Sequence, residues 1–129
     1  MNNVTVLYAD NGELEISGDR AELGELAGVL SRGYGELQGE AVDDLKPYDR
    51  SLGLVRVVVR EREGVSLEVL EDEETLLIAG TREGLAILGK NVKGLSVSGG
   101  QGEHLHIEYF PGHFYLTEDS LPVVVTLVD

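Results

Sequence analysis

The residues best suited to chemistry lie near the C-terminus, where segment 104–116 holds all three histidines of the chain. His104, His106 and Glu108 alternate with apolar residues, which is typical of a strand and places their side chains on one face. A His-x-His pair can chelate a metal ion, and a carboxylate or His113 from the following turn could complete the set. Neighbouring side chains on one strand face are about 6 to 7 Å apart, however, so the third ligand is poorly placed. We therefore expect no metal and no cofactor, and we interpret the three residues as a polar strand face.

Covalent chemistry has weaker support in the sequence. The chain has no cysteine, and Ser120 lacks the Gly-x-Ser-x-Gly elbow that presents a catalytic serine. The glycine-rich segment 96–103 lacks the Gly-Lys-Ser/Thr ending of a phosphate-binding loop. We expect no catalytic residue and no enzyme activity. The alternative that stays open is a small metal-dependent or hydrolytic enzyme that uses His104, His106, Glu108 and His113.

The aromatic residues around Pro111 and Gly112 indicate a binding surface. Pro-Gly favours a tight turn with the glycine at positive φ, and four of the seven Phe and Tyr residues flank it. Large aromatic side chains at a turn are good interface anchors because they bury much area at a low cost in conformational entropy. The alternative is that Tyr109 and Phe114 pack in the core and Tyr115 reaches from the core to solvent. The predicted partner-binding residues are His104, His106, Glu108, Tyr109, Phe110, His113, Phe114 and Tyr115.

The elements that position these residues follow a repeated pattern. Segments 14–27 and 76–89 have the sequences LEISGDRAELGELA and LLIAGTREGLAILG, and each predicts a strand, a glycine, a helix cap and a helix. Asp19 and Thr81 are the predicted caps, because their side-chain oxygens can accept the free N–H groups of a first helical turn. A strand precedes and another follows each segment, which gives a β-β-α-β pattern twice. Residues 34–52 break the pattern and form a long connection.

The chain length of 129 residues suits a single domain, 1–129, with a possible internal duplication of halves 1–62 and 63–129. The predicted fold class is α+β, an antiparallel sheet of six or seven strands with two helices, about 20–32 and 82–94, packed on one face. Alternation along the strands assigns polar residues to the opposite, partly open face. These residues are Glu15, Arg56, Arg60, His104, His106 and Glu108.

The charge of the chain limits the class of partner. Twenty-four Asp and Glu against ten Lys and Arg give a net charge of −14. This charge repels nucleic acid and anionic membrane surfaces, so we expect neither as a partner. A basic protein would be attracted and would associate faster, although the same charge also serves solubility. We find no apolar signal-peptide segment at the N-terminus and no apolar run of the roughly 20 residues that span a bilayer, and we expect a cytoplasmic protein.

The C-terminal segment 104–127 resembles the bacterial immunity proteins of polymorphic toxin systems, in particular immunity protein family 32. The residues that carry the resemblance are HLHIEYFPGHFYLTEDSLPVVVTL and the helical sequence GTREGLAILGKNVKGL before them. The resemblance implies an inhibitor that binds and neutralises a cognate toxin, without enzyme activity or cofactor. The acidic charge agrees, because many toxin domains act on nucleic acid and are basic, and an acidic inhibitor would mimic the polyanion. A self-associating structural module is the remaining alternative, and the sequence leaves the oligomeric state open.

Overall fold

The computed structural model of the chain describes residues 3–61, 64–113 and 115–128. It confirms the α+β class, since two helices pack against two β-sheets. In chain order the described elements are β1 (Thr5–Tyr8), β2 (Leu14–Gly18), α1 (Arg20–Arg32), β3 (Gly35–Gln38), β4 (Arg50–Ser51), β5 (Leu54–Val59), β6 (Val65–Leu70), a 3-10 turn (Glu71–Glu73), β7 (Thr75–Gly80), α2 (Arg82–Ser98), β8 (His104–Ile107) and β9 (Val123–Leu127). Neither helix in these ranges is long and apolar enough to cross a membrane.

Helix α1 begins and ends where its sequence predicts. Asp19 Oδ1 accepts the Glu22 N–H at 2.8 Å, and Glu22 Oε1 accepts the Asp19 N–H at 2.8 Å, which together form a capping box. At the other end, Gly33 has a φ of 88° and adopts the left-handed conformation that favours glycine. Local sequence signals therefore suffice to fix both ends of this helix.

Helix α2 begins at the predicted cap but extends further than predicted, to Ser98. Thr81 Oγ1 accepts the Gly84 N–H at 3.0 Å. Gly94 was the predicted end, and a glycine inside a helix costs about 1 kcal/mol relative to alanine. Leu95 follows it and is only 6% exposed, and burial of a leucine side chain contributes about 1.5–3 kcal/mol. The packing of Leu95 therefore outweighs the cost of the glycine, and the helix continues.

The prediction of one antiparallel sheet was wrong, because the strands form two mixed sheets. Five strands lie in the order β4-β1-β2-β9-β8 and four in the order β3-β5-β7-β6. Strand β2 pairs with β9 in parallel and β5 pairs with β7 in parallel, while the other pairs are antiparallel. Each helix carries the chain from one sheet to the other. Turn signals predict the antiparallel hairpins, but parallel pairs join strands that are distant in sequence and have no local signal.

The two halves of the chain have the same topology. In each half a hairpin, a helix and a further strand pair follow one another, and the orders β1-β2-β9-β8 and β6-β7-β5-β3 correspond strand for strand. The parallel registers also correspond: Leu14, Ile16 and Gly18 pair with Val123, Val125 and Leu127, as Leu76, Ile78 and Gly80 pair with Val55, Val57 and Val59. This two-fold correspondence supports the internal duplication, which stays a prediction.

One hydrophobic core joins both sheets and both helices. Ile16 of the five-stranded sheet, Ile78 of the four-stranded sheet, Leu26 of α1 and Leu88 of α2 border the same small internal void. All four side chains are buried and belong to one continuous apolar cluster. Each sheet thus packs one face against the helix pair, and the opposite face is partly open, as was expected for a single sheet.

Two irregular segments cover the outer edges of the two hairpins. Segment 39–52 covers β1 through the N–H groups of Glu40, Leu52 and Asp49, which donate to the carbonyls of Val4, Val6 and Tyr8 at 2.8, 2.8 and 3.0 Å. Segment 115–121 covers β6 in the same way, because Thr117 and Leu121 donate to the carbonyls of Val65 and Leu67 at 3.0 and 2.9 Å. The long connection 34–52 therefore closes an edge and contributes β3 and β4. Among the described edge strands of four or more residues, β3 and β8 have no such cover.

The predicted polar face is divided between the two sheets. Glu15 and the histidines of β8 lie on the five-stranded sheet, whereas Arg56 lies in β5 of the four-stranded sheet and Arg60 follows that strand. The prediction placed these side chains on one surface because it assumed one sheet. Val59 lies at the end of β5 and is 44% exposed.

Candidate partner-binding surface

A bulge just before its first residue sets the register of β8. The Gly102 N–H donates to the Leu127 carbonyl at 2.8 Å, and the Leu127 N–H donates to the Glu103 carbonyl at 2.9 Å. Two residues of one strand thus face one residue of the other, with Gly102 at a φ of 83°, as in a glycine β-bulge. The register that follows buries Ile107 and exposes both histidines of the strand.

His104 and His106 stand side by side on the outer face of the five-stranded sheet. Their ring centroids are 5.1 Å apart in an edge-to-face arrangement, and His104 Nδ1 lies 3.2 Å from the Gly102 carbonyl oxygen. Glu108 follows the strand and is also exposed. Within the described ranges, no group of three or more His, Asp or Glu side chains is placed to hold a metal ion. The expectation that the protein binds no metal stays a prediction.

The Pro111–Gly112 turn forms as the sequence predicts. The His113 N–H donates to the Phe110 carbonyl at 2.9 Å, and the glycine has a φ of 91°. His113 then ties the turn to the following segment, because its Nδ1 accepts the N–H groups of Tyr115 and Leu116 at 3.2 and 3.0 Å. His113 therefore holds the shape of the turn, a role that its position in the sequence did not predict.

The aromatic residues of the turn divide between surface and core. Phe110 is 57% exposed, and its ring centroid lies 4.8 Å from that of His113. Tyr109 is partly buried against the core. Tyr115 is 7% exposed, and its ring centroid lies 4.6 Å from that of His113. Phe114, which the sequence also predicted as a partner-binding residue, lies outside the described residues. Tyr115 packs on the buried side of the turn, while Tyr109, Phe110 and His113 form its surface.

The Tyr115 phenol connects the turn to helix α2. Burial raises the pKa of this phenol above its ordinary value, and a hydrogen bond with Asn91 lowers the pKa in part. Asn91 lies in α2, so the turn rests on the helix through both an apolar contact surface and a polar bond. A buried tyrosine hydroxyl with a partner is the usual arrangement in folded proteins.

A cleft of about 780 Å³ opens beside the turn, and we call it the turn cleft. Its walls include Tyr109, His113, Tyr115, Thr81, Arg82 and Glu118. Arg82 Nη1 donates to the Arg32 carbonyl at 3.0 Å, so the guanidinium joins the start of α2 to the end of α1. Tyrosine and arginine, both present in this cleft, are enriched at protein interfaces.

A second hollow of about 390 Å³ lies on the outer face of the five-stranded sheet, and we call it the outer groove. Its walls include Glu13, Tyr48, His106, Glu108, Pro122 and Val124. Neither lysine nor arginine is found among the described residues that line it. Burial raises the pKa of the Tyr48 phenol, and the negative charges of Glu15 and Glu13 raise this pKa further. The outer groove is therefore an anionic surface next to β8.

The charge of the C-terminal region is more one-sided than that of the whole chain. All ten Lys and Arg residues lie before residue 94. The acidic residues after that point are Glu103, Glu108, Glu118, Asp119 and Asp129. The segment that contains β8, the aromatic turn and β9 thus has no cationic side chain to offset its carboxylates.

The structure brings the predicted residues together at two neighbouring places. His106 and Glu108 line the outer groove, and Tyr109, His113 and Tyr115 line the turn cleft. Sequence reasoning missed the residues that long-range packing adds, namely Glu13 and Tyr48 in the groove and Thr81, Arg82 and Asn91 near the turn. Thr81 was predicted only as a helix cap, and the other four have no sequence signal of their own, because each reaches the surface from another part of the chain.

Comparison with known proteins bears on the same segment. No curated protein and no solved structure matches the chain. A family model does match residues 75–128, which cover β7, α2, β8, the aromatic turn and β9. The matched segment contains every residue that the sequence predicted to bind a partner. The resemblance predicted from 104–127 is thereby confirmed: residues 75–128 are similar to the family Immunity protein 32.

Proposed function

We propose that the protein is an immunity protein, a non-enzymatic inhibitor that binds a cognate toxin domain and neutralises it in the bacterial cytoplasm. The observation that carries the proposal is the match of residues 75–128 to Immunity protein 32. An immunity protein acts by binding, so its effect depends on a surface rather than on catalytic residues. The aromatic turn and the turn cleft provide such a surface within the matched segment.

The charge of the molecule supports a basic toxin as the partner. The net charge is −14. The described ion pairs of Arg50 and Arg56 engage four carboxylates at 2.9–3.5 Å, those of Asp10, Glu36, Glu71 and Glu73. These are a small part of the 24 acidic residues, so a strong negative field remains. Such a field raises the rate of encounter with a basic protein by about 10- to 1000-fold at low ionic strength.

The turn supplies the anchors that would keep the toxin bound. Phe110 is 57% exposed, and an exposed aromatic ring gains most of its free energy of burial when a partner covers it. Tyr109 and His113 flank it, and the turn cleft lies alongside. Interfaces usually depend on a few such aromatic residues, surrounded by contacts that exclude water. We therefore place the centre of the toxin interface at Phe110.

Ser120, which lies between the turn and β9, has a structural role. Ser120 Oγ accepts the Leu67 N–H at 3.0 Å and donates to the Leu121 carbonyl at 3.2 Å. The first of these bonds fastens segment 115–121 to the edge of β6. Asp119 accepts a hydrogen bond from the Thr117 hydroxyl, which stabilises the same segment.

The experiment that tests this function is co-expression with a candidate cognate toxin domain. Expression of the toxin domain alone should stop growth of the host, and co-expression of the protein should restore growth and yield a complex on purification. A Phe110→Ala variant should restore growth less well, and Tyr34→Ala is the matched control, because Tyr34 is an aromatic residue that is 63% exposed outside the matched segment. A toxin domain that stays toxic and fails to co-purify with the parent protein would contradict the proposal.

A further inference from the structure

We propose that the free edge of β8 is a docking site for an extended basic segment of the toxin, which would add to the five-stranded sheet as one more strand. The inference rests on the proposed function and deepens it, since it assigns a mode of binding to the partner. It depends on the main chain of β8, whereas the interface centre proposed above depends on side chains of the turn.

The edge of β8 is an exception in this fold. Segment 39–52 covers the edge of β1, and segment 115–121 covers the edge of β6. Proteins usually cover, shorten or charge the outer strands of their sheets, because an open row of N–H and carbonyl groups pairs readily with another chain. No described segment covers the edge of β8 in this way, so its main chain is a candidate interface.

The main-chain groups of His104 and His106 point away from β9. The bulge pairs Glu103 with Leu127, and hydrogen-bonded pairs recur at every second residue of an antiparallel ladder. Leu105 and Ile107 therefore exchange hydrogen bonds with β9, and the residues between them do not. Outside the strand ladders, no main-chain hydrogen bond of the described residues reaches His104 or His106. Two N–H and two carbonyl groups are thus available to an added strand.

Strand β3 occupies the corresponding place in the other sheet but carries a charged side chain that discourages pairing. The two-fold correspondence places Glu36 of β3 where β8 has His106, because their partners Arg56 and Val124 occupy equivalent places. Glu36 forms an ion pair with Arg56 at 2.9 Å. No ion pair of the described residues involves β8. Of the two edge strands β3 and β8, β8 is the one that lies within the segment 75–128 that matches the immunity family.

The surroundings of β8 determine the chemistry of the occupant. Glu103 and Glu108 flank the strand and are exposed, and the anionic outer groove lies against His106. No lysine or arginine occurs after Lys93 in the sequence. An added strand that alternates Lys or Arg with apolar residues would pair its cations with these carboxylates and its main chain with β8. In strand addition, main-chain hydrogen bonds provide affinity and alternate side chains provide specificity.

The first test uses a synthetic peptide of alternating Lys and Val as the probe and follows amide hydrogen exchange of the full chain. Addition of the peptide should slow exchange at His104 and His106 and leave Glu36 and Gln38 of β3 unchanged. A peptide with N-methylated amides on its pairing edge keeps the charge but lacks the donors to the two free carbonyls, so it should bind at least about fivefold more weakly. Equal protection by both peptides, or no change at β8, would overturn the inference.

A second test uses His106→Pro, which removes one outward N–H. Proline is tolerated on an edge strand where the N–H faces solvent, and His106→Ala tests the imidazole separately. Gln38→Pro is the matched control, because the Gly39 N–H donates to Gly53 and the Gln38 N–H therefore points away from β5. His106→Pro should weaken toxin binding about tenfold, whereas the other two variants should bind within about threefold of the parent. If His106→Pro fails to fold, the exchange experiment on the parent protein decides.

The outcomes separate this inference from the proposed function. A toxin that binds the parent but leaves the His104 and His106 amides unprotected would overturn strand addition and leave the immunity function standing. A toxin that does not bind the parent at all would overturn the function itself. Protection of the same amides in the isolated protein, together with a dimer in light scattering, would assign the edge to a second copy of the chain and contradict the toxin assignment.

Discussion

His113 Nδ1 accepts a hydrogen bond from the Leu116 N–H at 3.0 Å. Leu116 in turn lies beside Val65 in an isolated bridge, so the imidazole links the aromatic turn to the segment that covers β6. His113→Ala leaves this N–H without its acceptor, and we expect the free energy of unfolding to fall by about 1–2 kcal/mol. His113→Asn keeps a short side-chain acceptor near the same N–H groups and should lose less. Urea unfolding gives the free energy of unfolding of both variants. Equal losses of this free energy would show that the ring acts through packing alone.

Burial of the Tyr115 phenol predicts a loss of stability in alkali. Its pKa is raised above the ordinary value of 10.0 in the folded protein, so the unfolded chain ionises first as the pH rises. The contribution of this group is complete below about pH 10 and is lost as the pH passes through the folded pKa. Tyr115→Phe should flatten this part of the pH dependence, whereas Tyr34→Phe should not, because Tyr34 is exposed. Urea unfolding from about pH 8 to about pH 11 measures the slopes, and the same slope for Tyr115→Phe and the parent would contradict this account.

The histidine pair of β8 should carry no resident metal. The rings of His104 and His106 lie edge to face at 5.1 Å, and no third ligand is placed with them among the described residues. Elemental analysis of the purified protein after dialysis should find less than one equivalent of zinc. Retention of a full equivalent that disappears in the His104→Ala and His106→Ala double variant would favour the metal-dependent enzyme instead.

Phe110 should control the lifetime of the complex rather than the stability of the fold. It is 57% exposed, so Phe110→Ala removes little packing from the free protein. A central aromatic anchor contributes about 2 kcal/mol or more to binding, which corresponds to dissociation about 30-fold faster. The dissociation rate is measured on surface-immobilised toxin domain, with Tyr34→Ala as the control. Equal dissociation rates for Phe110→Ala and Tyr34→Ala would remove the turn from the interface.

The parts of the fold that could be predicted are those fixed by neighbouring residues. The Asp19 and Thr81 caps, the Pro-Gly turn and the alternation of strand faces all depend on local geometry, and each has the expected form. The pairing of Ile16 with Val125 joins opposite ends of the chain, and apolar alternation is equally compatible with many partners for a strand. The division into two sheets could therefore not be predicted, and neither could the placement of Arg56 and the β8 histidines on different sheets.

The candidate site was predictable to a similar extent. The cluster of His, Phe and Tyr residues identified the turn, because unusual residue types are concentrated there. Tyr48 was not predictable, since it reaches the outer groove from the long connection 34–52. Long-range hydrogen bonds hold this connection in place, such as the bond from the Asp49 N–H to the Tyr8 carbonyl. The burial of Tyr115 also depends on α2, which lies far from it in the sequence.

The most direct test of the central claim is stopped-flow binding to the candidate toxin domain across a series of salt concentrations. Charges attract over the Debye length, which is about 8 Å at physiological ionic strength, so salt should slow association by about tenfold or more and affect dissociation little. Substitution of Glu71, Asp72, Glu73 and Glu74, which are all exposed, by their amides should slow association in low salt and leave dissociation nearly unchanged. An association rate that does not depend on salt, or a toxin domain that does not bind at all, would contradict an acidic immunity protein that captures a basic toxin.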